Sequence, residues 1–241
     1  TARSAETLVV SLDEAETSLL LRDVHRAYRT QINDLLLTAL ARACAPWTGS
    51  RPLLVHVQSD GREDAFEAVD LSRTTGWFTS VYPVVLDAET ASGPGDALRR
   101  IKETLRSIPD RGLAWGLSRW MRGADELRAL PAAEIGFNYL GRFTQTIEES
   151  SLFALAPESP GASMSPANAR RYLLDVGGSV RGGKLHVSWT WSREVHDRAT
   201  IEALAHRFEP ASATRLNDLD RPQLIAVSAS VNRSKGDQDP S

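Results

Sequence analysis

Residues 172–192 read YLLDVGGSVRGGKLHVSWTWS and contain two strand-like runs on either side of Arg181-Gly182-Gly183. In the second run apolar residues occupy every other position: Leu185, Val187, Trp189 and Trp191. A period of two is typical of a strand that buries one face and leaves a polar face opposite. A glycine pair between two such runs indicates a tight hairpin. The stretch therefore predicts an antiparallel hairpin with one apolar and one polar face.

Outward from this hairpin, the pattern of apolar residues predicts further strands at residues 6–12, 53–57, 77–86 and 134–140. Pro83 places the third of these at a sheet edge or at a bulge. Helices are predicted from Ser11, whose spacing to Glu14 fits a capping box, after Thr30 with Pro46 and Gly49 as its stop, and at about 96–106, 113–121 and 199–208. Strands and helices mixed in this order predict a layered α/β sandwich.

The composition is that of an ordinary globular domain, with 241 residues, 41% hydrophobic and 24% charged. The net charge of −3 and the absence of a Lys/Arg-rich run argue against nucleic acid as a partner. No stretch approaches the roughly 20 apolar residues that span a bilayer, and the N-terminus lacks the apolar core of a signal peptide. We therefore expect no membrane association.

The single cysteine, Cys44, lies within an apolar helical pattern. One cysteine cannot form an internal disulfide, so we predict a reducing compartment and a cytoplasmic location. Alanines flank Cys44, and Arg42 is the nearest basic residue. This setting favours a buried, inert thiol over a nucleophile.

Common signatures of chemistry are missing from the sequence. There is no Walker loop, GxGxxG, HExxH, GxSxG or cysteine pair, so we predict neither a metal nor a directly bound cofactor. None of the five histidines is adjacent to another. His56, inside an apolar run, is interpreted as a packed, hydrogen-bonded side chain rather than a base. Residue patterns alone predict only an α/β domain.

Four segments resemble motifs of the epimerization domains of non-ribosomal peptide synthetases. Residues 28–37 (YRTQINDLLL) and 70–79 (DLSRTTGWFT) resemble the family's YRTQINDLLL and DLSRTVGWFT. Residues 108–116 (IPDRGLAWG) resemble IPNKGxGYG, and residues 137–141 match FNYLG. The motifs occur in family order over residues 6–208, and the chain is identified as a member of that family within the condensation-domain superfamily.

The resemblance implies a fold and a position within it. The family has two chloramphenicol-acetyltransferase-like lobes, and these motifs belong to the C-terminal lobe; the HHxxxDG signature of the N-terminal lobe is not in this sequence. We expect residues 1–209 to form one C-terminal lobe and residues 210–241 a polar linker or partly disordered tail. The start at Thr1 without Met is expected for a piece of a longer polypeptide.

The resemblance also implies an activity, in secondary-metabolite and antibiotic biosynthesis. Epimerization domains are isomerases that invert Cα of an aminoacyl or peptidyl thioester from L to D. The thioester hangs on the 4'-phosphopantetheine arm of a peptidyl carrier protein, and the HHxxxDG histidine faces a glutamate of an EGHGRE loop. The implied partners are therefore that carrier protein and an N-terminal lobe, on the same or a separate chain.

The site residues implied by the resemblance are Gln58, Arg62, Asn138 and Tyr139. Residues 58–63 read QSDGRE where the family has EGHGRE, so Gln58 replaces the glutamate. An amide can orient a substrate but cannot shuttle a proton. Asn138 is expected to orient the thioester, and Tyr139 to donate to an enolate oxygen or simply to pack. Arg62 is expected either to hold its loop or Tyr139, or to be a solvated surface residue.

Further alternatives remain open at this point. Asp60, two residues from Gln58, is a substitute proton carrier with a shorter reach. Asp70 and Arg73 are expected to fix the turn before Trp77, and Trp77 and Trp115 to pack. The sequence allows an epimerase half that is inactive alone, a degenerate carrier-docking or structural module, or, more weakly, condensation-type acyl transfer.

Overall fold

One mixed sheet organises the chain. The computed structural model describes residues 1–49, 51–62, 70–71, 73–88, 93–123, 125–142, 158, 161–162 and 164–213. In these ranges the strands are β1 (Ala5–Leu12), β2 (Leu53–Ser59), β3 (Ser80–Leu86), β4 (Ile135–Arg142), β5 (Leu174–Arg181) and β6 (Lys184–Ser192). Their order is β1-β6-β5-β4-β2-β3. Strands β2, β4 and β5 run parallel, and the other neighbours are antiparallel.

The helices of the described ranges are α1 (Glu14–Tyr28), α2 (Ile32–Thr48), α3 (Pro94–Arg106), α4 (Leu113–Gly116), α5 (Asp125–Ala129) and α6 (Arg198–Ala213). A 3-10 turn, Pro109–Gly112, precedes α4, and a π-helical turn, Leu117–Met121, follows it. The predicted helix over residues 113–121 is therefore divided between two helix types. Within the described part of the chain, no helix combines the length and apolar character that crossing a bilayer requires.

The apolar face of the sheet packs against helices, among them α2 and α6. Every second residue of β6, from Leu185 to Trp191, is buried, and Trp189 meets Phe208 of α6 edge-on with ring centroids 5.6 Å apart. Helix α2 contributes a fully buried run that includes Leu35, Leu36 and Leu37. The predicted hairpin is confirmed: Gly182 and Gly183 have φ of +53° and +74°, as a two-residue turn between twisted strands requires.

The opposite face, which we call the polar face, carries His186, Ser188 and Thr190 of β6. These residues are half-buried rather than buried. The sheet therefore has the two unlike faces that the alternation in residues 172–192 predicted.

Several predicted boundaries were wrong in instructive ways. The capping box belongs to Asp13 and Glu16: the Glu16 amide donates to Asp13 Oδ1 (2.8 Å) and the Asp13 amide donates to Glu16 Oε2 (3.1 Å). Ser11 instead pairs with His186 in the sheet. Of the two residues predicted to stop α2, Pro46 lies inside the helix, which continues to Thr48, whereas Gly49 caps it in the left-handed region as predicted.

Around β3, one prediction held and two failed. Pro83 lies on an edge strand of the sheet, as predicted. The strand begins at Ser80, however, and the side chain of Trp77 is 93% exposed, so its predicted packing role was wrong. Trp115 packs against the core. The bond from the Thr74 amide to the Leu71 carbonyl (3.1 Å) closes a turn in the loop between β2 and β3.

The predicted division of the chain into residues 1–209 and 210–241 stays a prediction. Helix α6 extends to Ala213, past the predicted end at Phe208. Residues 214–241 lie outside the described residues, as do Glu63 of the QSDGRE segment and most of residues 144–168.

Candidate functional site

The four predicted site residues lie at one end of the sheet. Gln58 is next to last in β2, and Asn138 and Tyr139 are the fourth and fifth of the eight residues of β4. Arg62 follows three residues after β2 ends. Because β2 and β4 are parallel, their carboxyl ends reach the same edge, where ligands of α/β sheets commonly bind. The tertiary structure therefore brings these residues to one region.

Alternation along the strands divides them between the two faces. Val57 and Phe137 are register partners and both are buried on the apolar face. Tyr139, two residues beyond Phe137, shares that face, whereas Gln58 and Asn138 belong to the polar face. The sheet thus separates Tyr139 from the two amide side chains.

Tyr139 sits against the core. A Cβ atom added to Gly178 would lie 3.1 Å from Tyr139 Cδ2 and 3.8 Å from Leu36 Cδ1, so the ring fills the space that the glycine leaves beside α2. Burial raises the pKa of Tyr139, and the neighbouring Arg142 opposes the shift. The hydroxyl therefore keeps its proton at neutral pH and can act as a hydrogen-bond donor.

Asn138 begins a row that crosses the polar face. It pairs with Gly177 of β5, which pairs with Ser188 of β6, which pairs with Val9 of β1. We call these four residues the Asn138 row. Gln58 lies on the same face in β2, two residues after His56, the partner of Gly136. Gly177 and Ser188 could not be predicted as site residues, because the register between strands is not a local signal in the sequence.

Arg62 holds its own loop, one of the roles expected for it. Its guanidinium donates from Nη1 to the Leu71 carbonyl (2.7 Å) and stacks over the Phe78 ring, 4.5 Å from the centroid. Gly61 has φ of +69°, and a Cβ there would lie 1.6 Å from the Phe78 carbonyl oxygen. The backbone at residues 60–62 is therefore in close contact with the segment that precedes β3.

Asp60 takes part in the same local structure. Its carboxylate accepts a bond from the Arg62 amide at 3.3 Å, and the residue is exposed. This contact turns the carboxylate toward its own loop. The hypothesis that Asp60 replaces the missing glutamate gains no support from this geometry.

A polar cavity of about 300 Å³ opens on the other side of β2, at the start of α2. Its lining includes Asn33, Ser59, Tyr82, Arg106 and Arg111. The Arg106 guanidinium already donates to the Arg29 carbonyl (2.8 Å). Among the described residues, no three His, Cys, Asp or Glu side chains come together as a metal ion would require.

His56 packs, as its position in an apolar run predicted. Its ring meets that of Tyr172 edge-on with centroids 5.7 Å apart. Burial lowers the pKa of His56, and Arg171 and Arg119 lower it further. The imidazole is therefore neutral at physiological pH. The hydrogen bond that the sequence analysis expected of it is not seen, since Nδ1 is buried without a partner in the structure.

Comparison with known proteins identifies the family. The sequence model described as Condensation domain matches residues 2–223. The chain belongs to the condensation-domain family. This condensation-family chain is 44% identical over 237 residues to a linear gramicidin synthase protein of Brevibacillus parabrevis, a match covering 96% of the chain and 3% of that protein. It is also 44% identical over 209 residues to chondramide synthase cmdD of Chondromyces crocatus, covering 85% of the chain and 5% of the synthase.

Solved structures confirm the fold class. The crystal structure of the epimerization domain from the third module of tyrocidine synthetase B superposes with a TM-score of 0.80 at 35% identity, covering 89% of this chain and 48% of that one. A condensation domain that mediates chain release from the enacyloxin polyketide synthase superposes with a TM-score of 0.64 at 17% identity, which shows the fold alone. The condensation-family chain thus spans about half the length of these solved structures. Its chloramphenicol-acetyltransferase-like α/β fold and its relation to peptide synthetase domains of the condensation/epimerization type are as predicted.

Proposed function

We propose that this chain is the C-terminal lobe of an epimerization domain and that it requires a second lobe for activity. The observation that carries the proposal is the 35% identity and TM-score of 0.80 to an epimerization domain over 89% of the chain. The match between residues 137–141 and FNYLG supports it, because this segment supplies Asn138 and Tyr139 of β4. The substrate is an aminoacyl or peptidyl thioester on the phosphopantetheine arm of a peptidyl carrier protein.

The reaction needs two proton-handling positions and a stabilised enolate. A base removes the Cα proton, the electron pair moves onto the thioester oxygen, and an acid returns a proton to the opposite face of Cα. Asn138 on the polar face is suited to hold the thioester and its developing oxyanion. Tyr139 packs on the apolar face, across the sheet from Asn138, so of its two expected roles this geometry favours packing.

Gln58 accounts for the proposed inactivity of the chain alone. It stands where the family has a glutamate, and its amide does not titrate in the physiological pH range, so it cannot act as an acid or a base. Arg62 is a positioning residue, because it binds the Leu71 carbonyl and the Phe78 ring. The proton-handling groups that Gln58 does not supply must therefore come from an N-terminal lobe with the HHxxxDG motif, on the same or another chain.

Hydrogen exchange at Cα tests this proposal. The chain is mixed with an aminoacyl carrier protein in D2O, with and without an N-terminal lobe, and deuterium incorporation and the D/L ratio are measured. We expect no exchange by the chain alone. With the second lobe, Gln58→Glu should raise the exchange rate by about 10²-fold, the usual contribution of a positioned acid or base.

Two controls sharpen this experiment. Gln58→Asn changes the side-chain length without adding a carboxylate and should not raise the rate, whereas Asp60→Asn tests whether the nearby carboxylate contributes. Exchange by the isolated native chain would contradict the proposal.

A second candidate function is a non-catalytic docking or structural module for a carrier protein. The observation that favours this candidate is the amide of Gln58 at the position where the family has a glutamate. This candidate predicts binding of the carrier protein with no exchange even when an N-terminal lobe and Gln58→Glu are both supplied. Exchange under those conditions would eliminate it.

A further inference from the structure

The polar face has a pocket beside Asn138. Its volume is about 240 Å³, and its lining includes Gly177, Ser188 and Val9, the other three members of the Asn138 row. The lining also includes Leu140, Ser179, His186 and Arg181. The pocket begins at Gly177, on the strand next to Asn138. Because neighbouring strands lie about 4.8 Å apart, this is also the distance from Asn138 to the pocket.

Glycine makes this pocket possible. Gly177 sits between Asn138 and Ser188, and any side chain there would stand on the floor of the cavity. A Cβ at Gly177 would lie 2.9 Å from Ser188 Oγ, and that hydroxyl donates to the Gly177 carbonyl at 3.2 Å. The hydroxyl nearest the floor is therefore already engaged.

The walls are apolar on two sides, and the charged residue of the lining, Arg181, is exposed to solvent. Val9 closes one side and Leu140, 56% exposed, stands at the other. Burial, followed by the charge of Arg181, lowers the pKa of His186, so the imidazole in the wall is neutral at physiological pH. A volume of 240 Å³ is below the range of pockets for whole drug-sized ligands, which begins near 300 Å³. The pocket suits one side chain.

We propose that this pocket receives the side chain of the residue carried on the thioester and that its apolar walls select an aliphatic side chain of valine to leucine size. The inference rests on the proposed function, because it takes the substrate Cα to lie over Asn138. The next residue of the Asn138 row is Gly177, which forms the floor of the pocket. Val9, Leu140 and Gly177 then determine which amino acid is accepted.

Binding of substrate analogues tests this assignment without catalysis. The chain, labelled with 15N, is titrated with the pantetheine amides of L-leucine, glycine and L-glutamate, which cannot transfer or hydrolyse. We expect the leucyl amide to bind about tenfold or more tightly than the glycyl amide, since each buried methylene of a specificity pocket is worth at least that factor. The amide signals of Gly177 and Ser188 should shift with the leucyl compound.

Variants connect this selectivity to the pocket. Gly177→Val should abolish the preference for leucine, and Thr7→Val, on the same face but outside the lining, should preserve it. If Gly177→Val does not fold, Leu140→Ala serves instead, because this exposed residue can be shortened, and it should shift the preference toward the phenylalanyl amide.

The outcomes separate this inference from the proposed function. Equal affinities for the leucyl and glycyl amides, tighter binding of the glutamyl amide, or selectivity that survives Gly177→Val would overturn the pocket assignment even if Cα exchange occurs. Selective binding that Gly177→Val removes would support it even if no exchange is ever detected.

Discussion

Replacing Gly112 with alanine should destabilise the protein through two separable effects. Gly112 is buried at the end of the Pro109–Gly112 turn with φ of +86°, after Asp110 and Arg111, which also have positive φ. A Cβ there would lie 1.9 Å from Tyr82 Cδ1 and 2.1 Å from its Cγ. Tyr82 is 8% exposed, and its pairing with Val57 of β2 fixes its backbone, so an added Cβ at Gly112 forces the ring itself to shift.

The magnitude follows from these two effects. A left-handed conformation costs an alanine about 1–2 kcal/mol. Overpacking a filled site costs about 1–3 kcal/mol more. Gly49 isolates the first effect, because its φ is +63° and nothing lies within 4 Å of an added Cβ. We expect Gly112→Ala to lower the free energy of unfolding by about 3 kcal/mol and Gly49→Ala to lower it by about 1 kcal/mol.

Equilibrium urea denaturation of both variants measures the difference. In a Tyr82→Ala background the contacts with the ring disappear and only the contact with Tyr82 Cβ (2.6 Å) remains, so the excess loss of Gly112→Ala over Gly49→Ala should shrink. Equal losses for the two glycine variants in the native background, or a full loss that persists without the Tyr82 ring, would refute the assignment of the cost to this contact.

Three further predictions concern single side chains. Asp13→Ala removes the capping box with Glu16 and should cost about 1 kcal/mol in urea denaturation, with Asp13→Asn retaining most of the stability. Burial raises the pKa of the Cys44 thiol to about 12, so it should react with an aromatic disulfide reagent only after unfolding. Since the unfolded thiol loses its proton near its ordinary pKa and the folded one does not, stability should fall between pH 9 and 12, and a Cys44→Ala variant should lack this loss. Arg62→Lys should lose the stacking on Phe78 and make the loop after β2 more sensitive to limited proteolysis, whereas an unchanged cleavage rate would contradict its positioning role.

Much of the sheet could be predicted because its signals are local. The glycine pair at residues 182–183 and the alternation through Trp189 and Trp191 specify a hairpin and its buried face without reference to the rest of the chain. Helix α2 was equally clear from its apolar spacing. Predictions failed where two local signals compete: Ser11 and Asp13 can both cap a helix, and only the pairing of Ser11 with His186 decides between them.

The candidate site was predictable only in part. Resemblance to a family selected Gln58, Arg62, Asn138 and Tyr139, and parallel pairing of β2 with β4 brings the two strand ends together. The motifs did not indicate how these four residues are arranged relative to one another in space. The role of Arg62 became specific only when the structure placed Leu71 and Phe78 within its reach.

Sequence by itself determined the family, the strand-and-helix pattern and the amide at Gln58, because each is carried by residue identities or by a period of two or three to four. Tertiary structure alone decided that Tyr139 lies on the apolar face while Asn138 joins Gly177 and Ser188 in a row with a pocket. The physical reason is register: hydrogen bonds between strands distant in sequence set which residues become neighbours, and no local pattern encodes that choice.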